Sequence, residues 1–65
     1  MCLSTIYKDE FKPENVMMKN VMKIECTDGA VILTDLMERQ MVIPGTLKMA
    51  NLVDGFAVVQ EKASV

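Results

Sequence analysis

Asp28-Gly29 constrains this chain more than any other pair of residues. An Asp-Gly pair accepts the backbone angles of a tight turn, and between two strand-forming segments it is the strongest short-range hairpin signal. Both flanks fit. Val21–Thr27 alternates, with Met22, Ile24 and Cys26 on one face and Lys23, Glu25 and Thr27 on the other. That period of two marks a half-buried strand. Ala30–Thr34 then returns as a nearly continuous apolar strand. The expectation is an antiparallel hairpin with Cys26 buried beside Met22 and Ile24, since free cysteine behaves as a small hydrophobe.

The rest of the chain reads in the same way. Leu3–Tyr7 has the β-branched and aromatic bulk of a strand. Lys8–Asn15 is polar, contains Pro13 and reads as a loop, with Asp9-Glu10 solvated. Val16–Asn20 is ambiguous, and Asn20 tolerates a positive φ that could close a turn. Asp35-Leu36-Met37-Glu38 has the spacing of a helix capping box. Pro44 follows too soon for a helix, so a hairpin with Glu38-Arg39 at its tip and Gln40–Ile43 as return strand is preferred. Pro44-Gly45 reads as a turn. Leu47, Met49 and Leu52 lie in a further strand, Asp54-Gly55 makes another tight turn, Phe56–Glu61 closes the fold, and Lys62–Val65 is a tail. About six short strands at this spacing predict an all-β fold, a small barrel-like or rolled antiparallel sheet, because closure removes exposed edges.

Size limits what such a fold can do alone. The chain has 65 residues and reads as a single domain, 1–65. A domain of this length buries only about 60% of the surface its unfolded chain exposes, so a metal or a partner subunit is a common supplement. With 51% hydrophobic residues it is apolar enough to fold. It has no run of about 18 apolar residues, so no membrane-spanning helix is expected. No signal peptide is recognisable, and a cytoplasmic location is expected, with Cys2 and Cys26 as thiols. Seven basic residues are scattered among nine acidic ones, net charge −2, which disfavours a nucleic-acid partner.

The chain contains no histidine. This removes the commonest general base and the commonest nitrogen ligand for metals, and it excludes Ser-His-Asp and Cys-His constellations. An enzyme is not expected. The seven methionines invite a copper(I) reading, but Met17-Met18 and Met37…Met41 sit among apolar residues and read better as core filling. Cys2 is the chemically informative residue. Removal of Met1 would place a thiol and a free amine on one residue; with Met1 retained, its amine, the Cys2 amide nitrogen and the Cys2 thiolate could act together. Both sets suit soft or borderline metals, and a planar arrangement suits Ni(II) or Cu(II). The plainer reading of Cys2 is a small apolar residue that begins a strand.

Several of these residues together resemble a known family. The chain starts Met1-Cys2-Leu3, carries a strand-Asp-Gly-strand unit (KIECTDGAVILTDL) and a polar turn (MERQ). A hydrophobic return follows to Pro44-Gly45, and it ends in a second such unit (LKMANLVDGFAVVQE). This order is similar to the CooT family, named for the nickel chaperone that serves carbon monoxide dehydrogenase. The resemblance covers nearly the whole chain and implies a small β-rich homodimer that binds nickel through the cysteine after the initiator methionine. Only Cys2 maps onto that position, with Met1 as its neighbour in the metal site. One cysteine and no histidine cannot fill four coordination positions, whereas two chains about a two-fold axis offer two thiolates and two nitrogens. The expected function is therefore cytoplasmic Ni(II) binding, as a metallochaperone that hands the ion to a recipient nickel enzyme. The alternative is a non-metal module that binds protein or RNA.

Overall fold

The computed structural model describes residues 3–62. Five strands form: β1 (Ser4–Lys8), β2 (Val16–Thr27), β3 (Ala30–Asp35), β4 (Gln40–Asn51) and β5 (Phe56–Glu61), with a 3-10 turn at Pro13–Asn15 before β2. They close into a barrel in sequence order. Consecutive strands are antiparallel, and β1 closes onto β5 in parallel, with Thr5 beside Phe56 through to Lys8 beside Val59. The all-β barrel expectation holds.

The count is five strands rather than six because Pro44-Gly45 lies inside β4, not in a turn. The Gly45 N–H donates to the Gly29 carbonyl at 3.0 Å. Main-chain groups alternate along a strand, so Ala30 next to Gly29 points its own groups away from β4. Ala30 is the residue opposite Pro44. The N–H that proline lacks is therefore one that β3 never uses. From Gly45 onward β4 changes neighbour and runs along β5 to Asn51. Gly45 has φ +148, and a Cβ there would overlap the Gln60 carbonyl oxygen, so only glycine lets β4 approach β5 this closely.

β2 bends in the same manner. Its first half, from Val16 to Val21, follows β1, and its second half, from Val21 to Thr27, follows β3. Asn20 (φ +58) and an irregular step between Val21 and Lys23 mark the bend. The tolerance of asparagine for this region, expected to close a turn, is used instead to turn one strand between two sheet faces.

Every strand contributes to one core of Ile6, Val21, Val31, Leu33, Ile43, Ala57 and Val59, with Met17, Met18, Ile24, Met41 and Leu47 packed against it. Cys26 is not part of it. The thiol is exposed, and Met22 at the β2 bend is 46% exposed. The reason is reach. β1 stops pairing with β2 at Val21, so burial along β2 fades from Val21 through half-buried Ile24 to exposed Cys26, one residue before the Thr27–Ala30 pair that flanks the hairpin turn. The apolar alternation is real, but within one chain nothing among the described residues covers its far end.

Asp35 follows the preferred hairpin reading and not the capping-box alternative. Its buried carboxylate organises the β3–β4 hairpin turn rather than a helix: Oδ1 accepts the Met37 and Arg39 N–H groups, each at 2.9 Å, and Oδ2 accepts Arg39 Nε at 2.8 Å. Burial opposes the charge, but the two N–H groups and the Arg39 guanidinium outweigh it and hold the carboxyl below its ordinary value of 3.8.

Candidate functional site

Met1 and Cys2, the residues singled out as metal donors, lie outside the described residues. Leu3, where the description begins, lies close to the β4–β5 turn: a Cβ added at Gly55 would stand 3.5 Å from the Leu3 carbonyl. Thr5 N–H donates to the Gly55 carbonyl at 3.0 Å. On the other side Ser4 pairs with Val21, which pairs with Asp35, and Leu36 N–H donates to the Asn20 carbonyl at 2.8 Å. Leu3 and Ser4 thus lie at the end of the barrel formed by the β2 bend, the Asp35–Arg39 turn and the Leu52–Gly55 turn. This end carries Leu36, Met37, Leu52 and Val53, all exposed, Val53 to 93%.

Among the described residues no three of His, Cys, Asp or Glu are placed to hold a metal ion. Several carboxylates have structural work instead. Asp35 holds its turn. Asp9, at φ +66, accepts Gln60 Nε2 at 3.1 Å and the Glu61 N–H at 3.0 Å, tying the end of β1 to β5 rather than standing in a solvated loop. Asp54 accepts Asn51 Nδ2 at 3.0 Å across its own turn. The methionines divide. Met17, Met18 and Met41 pack against the core as expected, whereas Met22, Met37 and Met49 are exposed. Met37 stands out in the turn while Met41 points to the core, so these two thioethers do not form a soft-metal pair.

A feature that sequence reading missed lies on the outside of the β1–β5 seam. The single tyrosine and both phenylalanines meet there. Phe11 stacks on Phe56 with centroids 4.0 Å apart, and Tyr7 meets Phe11 edge-on at 4.7 Å. The loop after β1 folds back over the sheet and buries Val58 beneath it. The resulting apolar depression of about 400 Å³ is lined by Phe11, Met49, Phe56 and Val58, with Asp9, Glu10 and Lys48 around it. Its signal in the sequence is only the distribution of aromatics. Bringing Tyr7 to Phe56 needs the parallel closure of the barrel, which no local pattern announces.

Comparison with known proteins yields one family. The model of the CO dehydrogenase accessory protein CooT matches residues 1–60. No curated protein matches the chain. Among solved structures, a crystal structure from Carboxydothermus hydrogenoformans assigned to CooT superposes with a TM-score of 0.80 at 19% identity, covering 95% of this chain and 100% of that one. At that identity the superposition speaks for the barrel alone, and the family match speaks for descent. No helix among the described residues is long and apolar enough to cross a membrane. The match over residues 1–60 takes in nearly the whole chain, which therefore belongs to the CooT family of CO dehydrogenase accessory proteins.

Proposed function

We propose that this protein is a Ni(II) metallochaperone for CO dehydrogenase that holds the ion with Cys2, and with the nitrogen that Met1 or its removal supplies, at the two-fold axis of a homodimer. The observation that carries this reading is the family match from residue 1, which takes in Met1-Cys2, in a chain without histidine. The donor chemistry fits. A thiolate with an adjacent amine or amide nitrogen is a strong-field pair, and two such pairs favour planar Ni(II) over tetrahedral zinc. The described residues offer no rival donor cluster. The dimer is supported by the small core that 65 residues can bury. In this reading the recipient is CO dehydrogenase, and the protein acts in the cytoplasm.

The test is a nickel titration followed by native mass spectrometry, with a Cys2→Ser control. One nickel per two chains is expected for the wild type, with most of the affinity gone in Cys2→Ser while the far-ultraviolet circular dichroism stays that of the folded barrel. Equal affinity and stoichiometry in the variant would remove the nickel assignment and leave a metal-free interaction module.

A further inference from the structure

The homodimer of the preceding reading requires a contact surface, and one edge of the barrel is self-complementary. β2 pairs with β1 only as far as Val21 and with β3 only from Val21 onward. Among the described residues, the side of Lys23–Thr27 that faces away from β3 has no strand beside it. From Lys23 to Thr27 the register with β3 is regular, its one shift falling before Lys23. An open, regular edge is a template for another strand.

The hydrogen-bond parity of this edge follows from two contacts. Gly45 N–H bonds to the Gly29 carbonyl, so Val31 and Leu33 also turn their main-chain groups toward β4, and Ala30, Ile32 and Thr34 turn theirs toward β2. Their partners Thr27, Glu25 and Lys23 are therefore satisfied by β3. Ile24 and Cys26 point their N–H and C=O groups outward.

We propose that a second copy of this chain docks here by antiparallel pairing of β2 with itself about a two-fold axis at Ile24. The axis position is selected by charge. Centred on Ile24, the pairing sets Lys23 opposite the partner's Glu25 and Glu25 opposite the partner's Lys23. Shifted by one residue either way, it sets Lys23 or Glu25 against its own copy, and like charges directly opposite are unfavourable. Lys23 and Glu25 already lie side by side, 3.7 Å apart on the exposed face. Dimerisation turns this pair into an alternating square of four charges. On the other face the axis brings Ile24 against the partner's Ile24, with Cys26 beside them. That covers the apolar alternation that a single chain leaves exposed. Lys23 on an open edge repels strands in general, but it admits the one strand that presents a glutamate opposite it. The β4–β3–β2 sheets of the two copies then merge into one continuous sheet.

The inference rests on the homodimer reading, and the experiment separates the two. Analytical ultracentrifugation at micromolar concentration compares wild type, Lys23→Glu, Glu25→Lys and the double exchange. Both positions are exposed, so each variant is expected to fold, which circular dichroism verifies. Each single reversal makes all four charges alike and raises the dimer dissociation constant about tenfold or more, and the double exchange restores it. Amide exchange adds a second readout. The Ile24 and Cys26 amides are slow in the dimer and fast in the single variants, while the Glu25 amide, held by β3, stays slow in both. A dimer that both reversals leave intact, with fast Ile24 and Cys26 amides, overturns the edge and keeps the homodimer. A wild type that remains monomeric with and without nickel overturns the homodimer and the edge with it.

Discussion

Arg39 bonds both oxygens of Asp35, its main-chain N–H donating to Oδ1 at 2.9 Å and its Nε donating to Oδ2 at 2.8 Å. The guanidinium is 75% exposed and the carboxylate 3%. Water screens the ion pair, so the main-chain donors carry most of the benefit. The same contacts depress the Asp35 pKa, and the sign of its pH effect follows. A carboxylate with a lowered folded value contributes stability that is present above its unfolded value and is lost as pH falls through the folded one.

Asp35→Asn is therefore expected to lower the melting temperature by several degrees near neutrality, and Arg39→Ala by less. The gap between wild type and Asp35→Asn should close as pH drops below 3.8. Thermal melts from pH 7 to pH 2 check this. A gap that widens toward acid would contradict the assignment of the Asp35 charge to the turn.

Gly45 and Gly29 both have positive φ, but only Gly45 is hemmed in, by the Gln60 carbonyl and by Glu61 Cα at 3.0 Å. Gly45→Ala forces β4 off β5 and is expected to cost about 3 kcal/mol or more, as overpacking added to backbone strain does. Gly29→Ala has nothing within 4 Å of the new Cβ and should lose only the left-handed penalty, about 1 kcal/mol. Urea unfolding distinguishes them, and equal losses would show that the closeness of β4 to β5 is not what demands glycine.

Cys26 tests the correction made to the alternating strand. A buried cysteine would lose about 1 kcal/mol on truncation. An exposed one at the end of β2 should change unfolding stability by less than about 0.5 kcal/mol in Cys26→Ser when both proteins carry Lys23→Glu, which removes the proposed contact between copies. A large loss measured by urea titration would place the thiol back in the core.

What the chain disclosed in advance was local. Asp28-Gly29 and Asp54-Gly55 sit at turns, and Ile24, Val31 and Leu33 face inward, because turn chemistry and period-two alternation act over a few residues. Pro44-Gly45 misled because a proline normally breaks a central strand. Its tolerance depends on which of its neighbours' hydrogen bonds β3 needs, a property of the paired register and not of the dipeptide. Asn20 misled in the same way, as a bend inside β2 rather than an end. The parallel β1–β5 closure, and with it the meeting of Tyr7, Phe11 and Phe56, joins opposite ends of the chain and has no short-range signature. Cys2 stood out through its donor chemistry together with the family resemblance, both legible without any fold, but its surroundings lie beyond the described residues.

The nickel proposal makes a pH prediction that separates ligand chemistry from mere adhesion. A thiol titrates near 8.5 and an α-amine at about 7.7–8.0, and both must shed protons to bind a metal. Nickel affinity should therefore rise steeply between about pH 6 and pH 8. A thiolate-to-nickel charge-transfer band should grow in the near ultraviolet over the same interval, and Cys2→Ser should show neither. An N-terminal extension that keeps Cys2 but displaces the free amine beside it should weaken binding while leaving the barrel folded, because a nitrogen donor has been moved. Described carboxylates could instead gather nickel loosely on the surface. In that case affinity would already be near its plateau at pH 6, where carboxylates are ionised, and the extension would have no effect. That flat profile, measured by isothermal titration calorimetry at fixed ionic strength, would take the metal away from Cys2.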